Sequence, residues 1–242
     1  MAAPRKIKAT VTDVTYYERG VTFFQLKPEG SCRYRAGQFL HLTMDEYDPS
    51  FNWPESRVFS IANSPYRKDV VEILVSPKGA FTQQMVQDLK PGSQVWLKLP
   101  YGEFNFSEAE NKNVVLIAGG TGISPFVPFL EELLGQKHSS KTISLYYGVQ
   151  KKELIVFGEL LEQTTRQISN FSCYLYLQED APETYLGNKN GILPIKDILC
   201  ETVDLGDTVY YLSGPKPMIE SFLASYSKFG VSAQQVFYDK WE

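Results

Sequence analysis

The chain has 242 residues, 43% hydrophobic and 14% aromatic, which is enough apolar material for one large core or two modest ones and excludes a disordered chain. Its 24 basic and 28 acidic residues leave a formal charge of -4, so composition offers no broad electrostatic case for nucleic acid or an anionic membrane as a partner. Cys32, Cys173 and Cys200 lack both the even count of a disulfide framework and the close spacing of a zinc or iron-sulfur site, so reduced thiols and no metal are expected.

The amino terminus reads AAPRKIKA with no signal-peptide apolar run behind it, and no stretch of about twenty apolar residues occurs. A cytoplasmic protein with no transmembrane segment is the expectation. From Ile7 to about Phe106, short β-rich runs follow one another: KATVTDVTYY, VTFFQL, QFLHLTM, RVFSIA, VVEILVS and SQVWLKLP. Glycine, proline and acidic turns separate them, which favours an antiparallel barrel or sandwich over repeated βα units. AFTQQMVQDLK, from Ala80, predicts one inserted short helix stopped by Pro91 and Gly92.

The polar join EAENKN, residues 108–113, marks a boundary. Two domains are expected, 1–108 and 109–242. In the second, the strands VVLIA, TISLYYGV, FSCYLYL and VYYLS alternate with helical candidates over 124–134, 153–164 and 216–229, the pattern of a parallel αβα domain.

Three stretches carry chemistry. VVLIAGGTGISPF, residues 114–126, reads as a buried strand, a tight turn and a helix start. Gly119, Gly120 and Gly122 permit the turn and a close ligand approach, and Phe126, Phe129, Leu130, Leu133 and Leu134 fall on one helical face. Such a turn directs backbone N–H groups at a phosphate, or is simply structural; it lacks both the GK[ST] ending of a P-loop and the G-x-G-x-x-G spacing. In RVFSIANSP, residues 57–65, Phe59 offers a face to a planar redox ring, Ser60 a hydrogen bond and Arg57 a phosphate-neutralising charge. The plain alternative is a surface arginine, a core phenylalanine and a turn-side serine. In SPKGAFTQQM, residues 76–85, a small-residue turn and Thr82 either cradle a second phosphate or cap the helix.

These residues in this order resemble the ferredoxin-NADP+ reductase superfamily. RVFSIA resembles its Arg-x-Tyr/Phe-Ser flavin motif and KGAFT its Gly-Gly-x-x-Ser/Thr phosphate loop, while GGTGISP, YYGVQKKEL and YLSGPKPM resemble its pyridine-nucleotide domain. The resemblance spans nearly the whole chain. It implies an antiparallel FAD-binding β-barrel followed by a Rossmann-like parallel αβα nucleotide-binding domain.

It also implies that Arg57 contacts flavin phosphate, that Phe59 packs on the isoalloxazine and that Ser60, with Ile61 beside it, addresses the N5 edge. Gly79, Ala80, Phe81 and Thr82 would hold the FAD pyrophosphate. Gly119, Gly120, Thr121 and Gly122 would hold that of NADH or NADPH, with Gly214, Pro215 and Met218 near the nicotinamide. Met218 equally suits a core, and AGQF (36–39) and YGEF (101–104) suit plain barrel-closing turns. Lys151, with Lys152, would meet a 2'-phosphate or face solvent.

Two positions depart from the family pattern. Ser213 replaces the cysteine of Cys-Gly-Pro, and Ala80 replaces a loop glycine. In the terminal VFYDKWE, Tyr238 or Trp241 would shield a flavin face and Asp239 would tune the ring edge; the alternation also fits a plain terminal strand. Ser60, Ser213 and Asp239 are thus the implied catalytic residues.

The implied activity is hydride exchange between NAD(P)H and FAD, the protein supplying alignment and excluding water. With no fused iron-sulfur segment recognisable, electrons would pass to a separate ferredoxin, flavodoxin, other electron-transfer protein or free flavin. The alternative is a flavin-binding subunit that senses redox state or serves in assembly.

Overall fold

The computed structural model describes residues 3–135, 141–179, 186–202 and 204–239. The chain divides into two compact units, one of residues 1–105 with 124–129, the other of 106–123 with 130–242.

The first unit is a six-stranded antiparallel sheet of β1 (Arg5–Tyr16), β2 (Thr22–Pro28), β3 (Phe39–Thr43), β4 (Arg57–Ser60), β5 (Val71–Val75) and β6 (Gln94–Tyr101), in the order β4-β3-β6-β1-β2-β5. A hydrogen bond from Ala62 N–H to Glu72 O, 2.8 Å, ties the chain leaving β4 to β5, so the two edges meet and the sheet is nearly a barrel. Period-two alternation builds it: Leu40 and Leu42 of β3 and Val95, Leu97 and Leu99 of β6 point inward, while His41 and Lys98 between them do not. Each such leucine contributes about 1.5–3 kcal/mol by leaving water. Helix α1 (Ala80–Asp88) follows β5, seats Met85 in this core and ends as expected before Pro91.

The second unit holds a six-stranded sheet of β7 (Asn113–Gly119), β8 (Ile143–Val149), β9 (Phe171–Leu177), β10 (Lys189–Asn190), β11 (Thr208–Ser213) and β12 (Val236–Tyr238), with every pairing parallel. Its helices are α2 (Val127–Gly135), whose first three residues belong to the first unit, α3 (Gly158–Gln167), α4 (Ile195–Glu201) and α5 (Lys216–Lys228). The order is β10-β9-β8-β7-β11-β12. From β7 the chain steps outward through β8, β9 and β10, then returns to lay β11 on the other side of β7. That reversal is a topological switch point, where open parallel sheets leave a crevice at the strands' carboxyl ends.

Local details differ from the sequence expectations. The helix expected over 124–134 begins only at Val127, after a 3-10 segment Gly120–Phe126 that contains Pro125; Pro128 then fills the first α-helical turn, where no N–H is needed. Phe126, Phe129, Leu130 and Leu133 are buried as expected, and Leu134 is half-buried. The helix expected over 153–164 is split into a 3-10 turn Lys152–Leu154 and α3, because Phe157 takes a left-handed φ of 60° between them. Strand β10 and helix α4 were not anticipated: two residues and seven are too short for a periodic signal.

Candidate functional site

In the first unit, the two motif stretches meet. Arg57 opens β4 and its guanidinium carbon lies 4.9 Å from the centroid of the Phe81 ring in the first turn of α1. Two contacts fix the guanidinium: Nη2 to Glu55 Oε1 at 2.7 Å and Nη1 to the Ser56 carbonyl at 2.9 Å. The side chain stays 47% exposed, so a fork of further donors faces solvent beside the helix start.

Gly79 precedes that helix in extended backbone, φ -141° and ψ 173°, and a Cβ there would meet nothing within 4 Å. Thr82 closes the first turn: its hydroxyl accepts from Gly79 N–H at 3.1 Å and donates to Gly79 O at 3.0 Å. The threonine therefore caps, leaving the N–H groups of Ala80, Phe81 and Thr82 as the donors a helix start cannot satisfy internally. Ala80 is exposed, so its methyl group in place of the family glycine projects into open space.

Phe59 is 9% exposed and belongs to the barrel core. Ser60 is half-buried at the end of β4 opposite Phe39. Ile61 is fully buried, and its N–H donates to Gln38 O at 3.0 Å.

The AGQF and YGEF turns interlock beneath that strand. Gly37, at φ 89°, leaves no room for a Cβ, which would lie 2.2 Å from Phe104 O; Gly102, at φ 91°, has the Phe39 ring at 2.7 Å. Gln38 donates from Nε2 to Gly102 O at 2.9 Å. Their role in these contacts is structural support for Ile61 and its neighbours. Glu55, the carboxylate that steadies Arg57, escaped the sequence reading; its signal was an acid two residues before the arginine.

In the second unit, the turns after β7 and β11 flank the switch point, since β7 and β11 are neighbours with Ser213 opposite Ala118. Gly119 and Gly122 serve this packing: a Cβ on Gly119 would lie 2.8 Å from Met218 Sδ, and one on Gly122 would lie 2.3 Å from Ser213 O. Gly214, at φ 150°, is as tightly enclosed, by Met218 Cε at 2.8 Å and Gly119 N at 2.9 Å. Gly120 is different. It is left-handed, φ 54°, with nothing within 4 Å of its Cβ position, so of the three turn glycines only Gly120 borders open space.

Thr121 is half-buried beside it. Pro215 precedes α5, and Met218, partly buried, packs on the core of this unit as well as on Gly119 and Gly214. Ser213, 3% exposed, donates from Oγ to Asp239 Oδ2 at 3.4 Å, so two of the three implied catalytic residues are brought together. Asp239 N–H is held by Leu212 O at 2.9 Å. Lys151 is half-buried just past β8. Trp241 lies outside the described residues. Among the described residues no group of three His, Cys, Asp or Glu is placed to hold a metal ion. Burial pushes Cys173 up to about 12 and Cys32 up to about 11, the latter against the opposing charge of Arg5, which keeps these two thiols unreactive.

Residues 116–223 match the family model described as "Oxidoreductase NAD-binding domain". The chain is 29% identical over 245 aligned residues, covering 97% of its length, to the reductase component of propane 2-monooxygenase from Mycolicibacterium smegmatis. The chain is similar to reductase components and carries the match to an oxidoreductase NAD-binding domain. It covers 60 to 67% of the length of the first curated relatives it matches.

The fold of this chain is shared with solved structures. A cytochrome P450 reductase from Amycolatopsis superposes with a TM-score of 0.83 at 23% identity, over 98% of this chain and 70% of that one. A ferredoxin NADP+ reductase from Neisseria gonorrhoeae with bound FAD and NADP superposes with a TM-score of 0.78 at 18% identity, over 99% of both chains.

The residues present fit two diphosphate-bearing cofactors. Open space at Gly79, beside the start of α1, and at Gly120, in the turn after β7, gives the backbone approach a pyrophosphate needs.

Proposed function

We propose that this flavoprotein reductase carries hydride between NAD(P)H and FAD and delivers electrons to a separate acceptor. The observation that carries this reading is the meeting of Arg57 with the start of α1 at Phe81, which makes one anion-binding corner from two separate motifs. FAD, once bound, supplies the exchange between a two-electron hydride donor and one-electron acceptors.

The protein's own residues do the rest. Arg57 and the N–H groups of Ala80, Phe81 and Thr82 bind the FAD pyrophosphate, with Gly79 clearing the approach. Phe59 would support the flavin ring, and Ser60, with buried Ile61 fixing the backbone behind it, would address its N5 edge. Gly120 and Thr121 bind the nicotinamide dinucleotide pyrophosphate at the switch point, where Gly119 and Gly122 let the turn close on Gly214 and Pro215, with Met218 packed behind it. Ser213 holds its hydroxyl on Asp239, fixing a polar pair at the carboxyl end of β11. Lys151, half-buried past β8, takes the 2'-phosphate when the donor is NADPH; NADH leaves that charge unused.

The acceptor is a ferredoxin, a flavodoxin, another electron-transfer protein or free flavin, and the location is cytoplasmic. Among the described residues no helix is long and apolar enough to cross a membrane. The Mycolicibacterium smegmatis relative, a monooxygenase reductase component, supports a protein acceptor over free flavin.

Purified protein reconstituted with FAD is expected to reduce ferricyanide with NADH or NADPH in the absence of any partner. An FAD-loaded protein with no such turnover would instead be the redox-sensing or assembly subunit.

A further inference from the structure

Of the seven arginines in the chain, Arg57, Arg67 and Arg166 each hold a carboxylate, on Glu55, Glu72 and Glu162. Arg5, Arg33 and Arg35 have no ion-pair partner among the described residues, and all three line two adjoining hollows of the first unit. One hollow, of about 260 Å³, is walled by Arg5, Arg33, Ser31, Cys32 and Pro100. The other, of about 480 Å³, is walled by Arg33, Arg35, Tyr34, Gln38 and Asn105, and Glu103 is its single carboxylate. Arg33 and Pro100 are common to both.

The backbone that carries Arg33 and Arg35 is fixed. Tyr34 between them is 8% exposed, and its hydroxyl lies 3.1 Å from the carbonyls of both Asn63 and Ser64. Arg35 N–H donates to Gln38 Oε1 at 2.9 Å, and Gln38 N–H donates back to Arg35 O at 3.1 Å. Binding there would order side chains without having to order a loop, which lowers its entropic cost.

We propose that the two hollows form a site for a small molecule bearing two linked phosphate groups, built from residues that neither cofactor turn uses. One phosphate sits between Arg5 and Arg33, the next between Arg33 and Arg35. Three guanidinium forks for two linked anions, with Arg33 shared between them, suit phosphates, with their several oxygens and up to two charges each, better than a carboxylate, which a single fork satisfies. Glu103 opposes the second phosphate, but three positive charges against one negative leave the pair of hollows cationic. The wall thiol of Cys32 takes no part in chemistry, since burial keeps it protonated.

The proposal is independent of the flavin reading. Its test is calorimetric titration of the full chain with pyrophosphate, in the presence of saturating FAD and NAD+ so that the cofactor turns are filled. One saturable site is expected, weakened at least tenfold by Arg33→Ala, which serves both hollows, and unchanged within twofold by Arg57→Ala. If the protein takes up no FAD, the contrast between those two variants still separates the sites.

ADP binding more tightly than pyrophosphate assigns a nucleoside diphosphate, and equal or weaker ADP assigns the free diphosphate; either supports the site. Absence of binding, affinity unchanged within twofold in Arg33→Ala, or a preference for an oligoglutamate peptide over both phosphates overturns it. Arg33 is exposed, and thermal melts of Arg33→Ala and of the milder Arg33→Gln confirm that lost binding is not lost fold.

Discussion

Arg57 stands over Phe81, guanidinium carbon to ring centroid 4.9 Å, so a residue that opens a barrel strand and one in the first turn of a helix form a single corner. A cation over an aromatic face loses little of its charge to that contact and keeps its in-plane donors for an anion. Arg57→Ala is expected to weaken FAD binding about ten- to a hundredfold, the range of a lost charge-assisted hydrogen bond of about 1.5–3 kcal/mol. Arg57→Lys keeps the charge without the fork and is expected to fall between. Fluorescence titration of apoprotein with FAD checks both; unchanged affinity in Arg57→Ala removes the residue from the site.

The glycines after β7 divide into packing and approach. Gly122→Ala drives a methyl group to 2.3 Å from Ser213 O, a backbone atom, and is expected to cost more stability than Gly120→Ala, whose new methyl meets nothing within 4 Å. The second substitution still carries the left-handed penalty of about 1–2 kcal/mol at φ 54°. Urea melts give the order. Gly120→Ala is expected to raise KM for NAD(P)H while FAD content stays the same, and an unaltered KM in a folded variant would show that the open side of the turn holds no nucleotide.

Ser213 and Asp239 share one hydrogen bond at 3.4 Å and are therefore expected to act as a unit. Ser213→Ala and Asp239→Asn should each slow flavin reduction, and the double variant should fall short of the summed effects by about 0.5 kcal/mol or more. Stopped-flow rates complete the cycle. Additive effects would mean that the two residues serve different steps.

Burial, and then the charge of Lys98, lower the pKa of His41 from the ordinary 6.5. In the unfolded chain the imidazole protonates at its usual pH, while in the fold it resists, so the unfolded state binds more protons in this window. Stability is therefore expected to fall as the pH drops below about 6.5 toward the depressed folded value, and His41→Gln should flatten that part of the profile. Urea unfolding between pH 5 and pH 7.5 compares the two slopes; identical slopes would mean that His41 protonates equally in both states.

Much of the architecture is written in periodicity. The alternation of β3 and β6 and the unbroken apolar run of β7 specify an antiparallel near-barrel and a buried parallel strand. The helix break at Phe157 and the late start of α2 were hidden, because a single left-handed residue or a proline turn leaves apolar spacing almost unchanged. At the candidate site, the residue types of RVFSIA, KGAFT and GGTG were legible. Their division of labour was less so: the sequence left Thr82 open between cradle and cap, and that Gly119 and Gly122 pack on the turn after β11 while Gly120 is open are facts of contact between segments far apart in sequence.

The central claim is that this chain moves hydride from a nicotinamide donor to its flavin. Anaerobic mixing of the FAD-loaded protein with NADH, and separately with NADPH, followed by absorbance near the flavin visible band, tests it most directly. The account expects rapid bleaching with at least one donor, slowed in Gly120→Ala at subsaturating donor. An FAD-loaded protein whose visible band persists with both donors would contradict it.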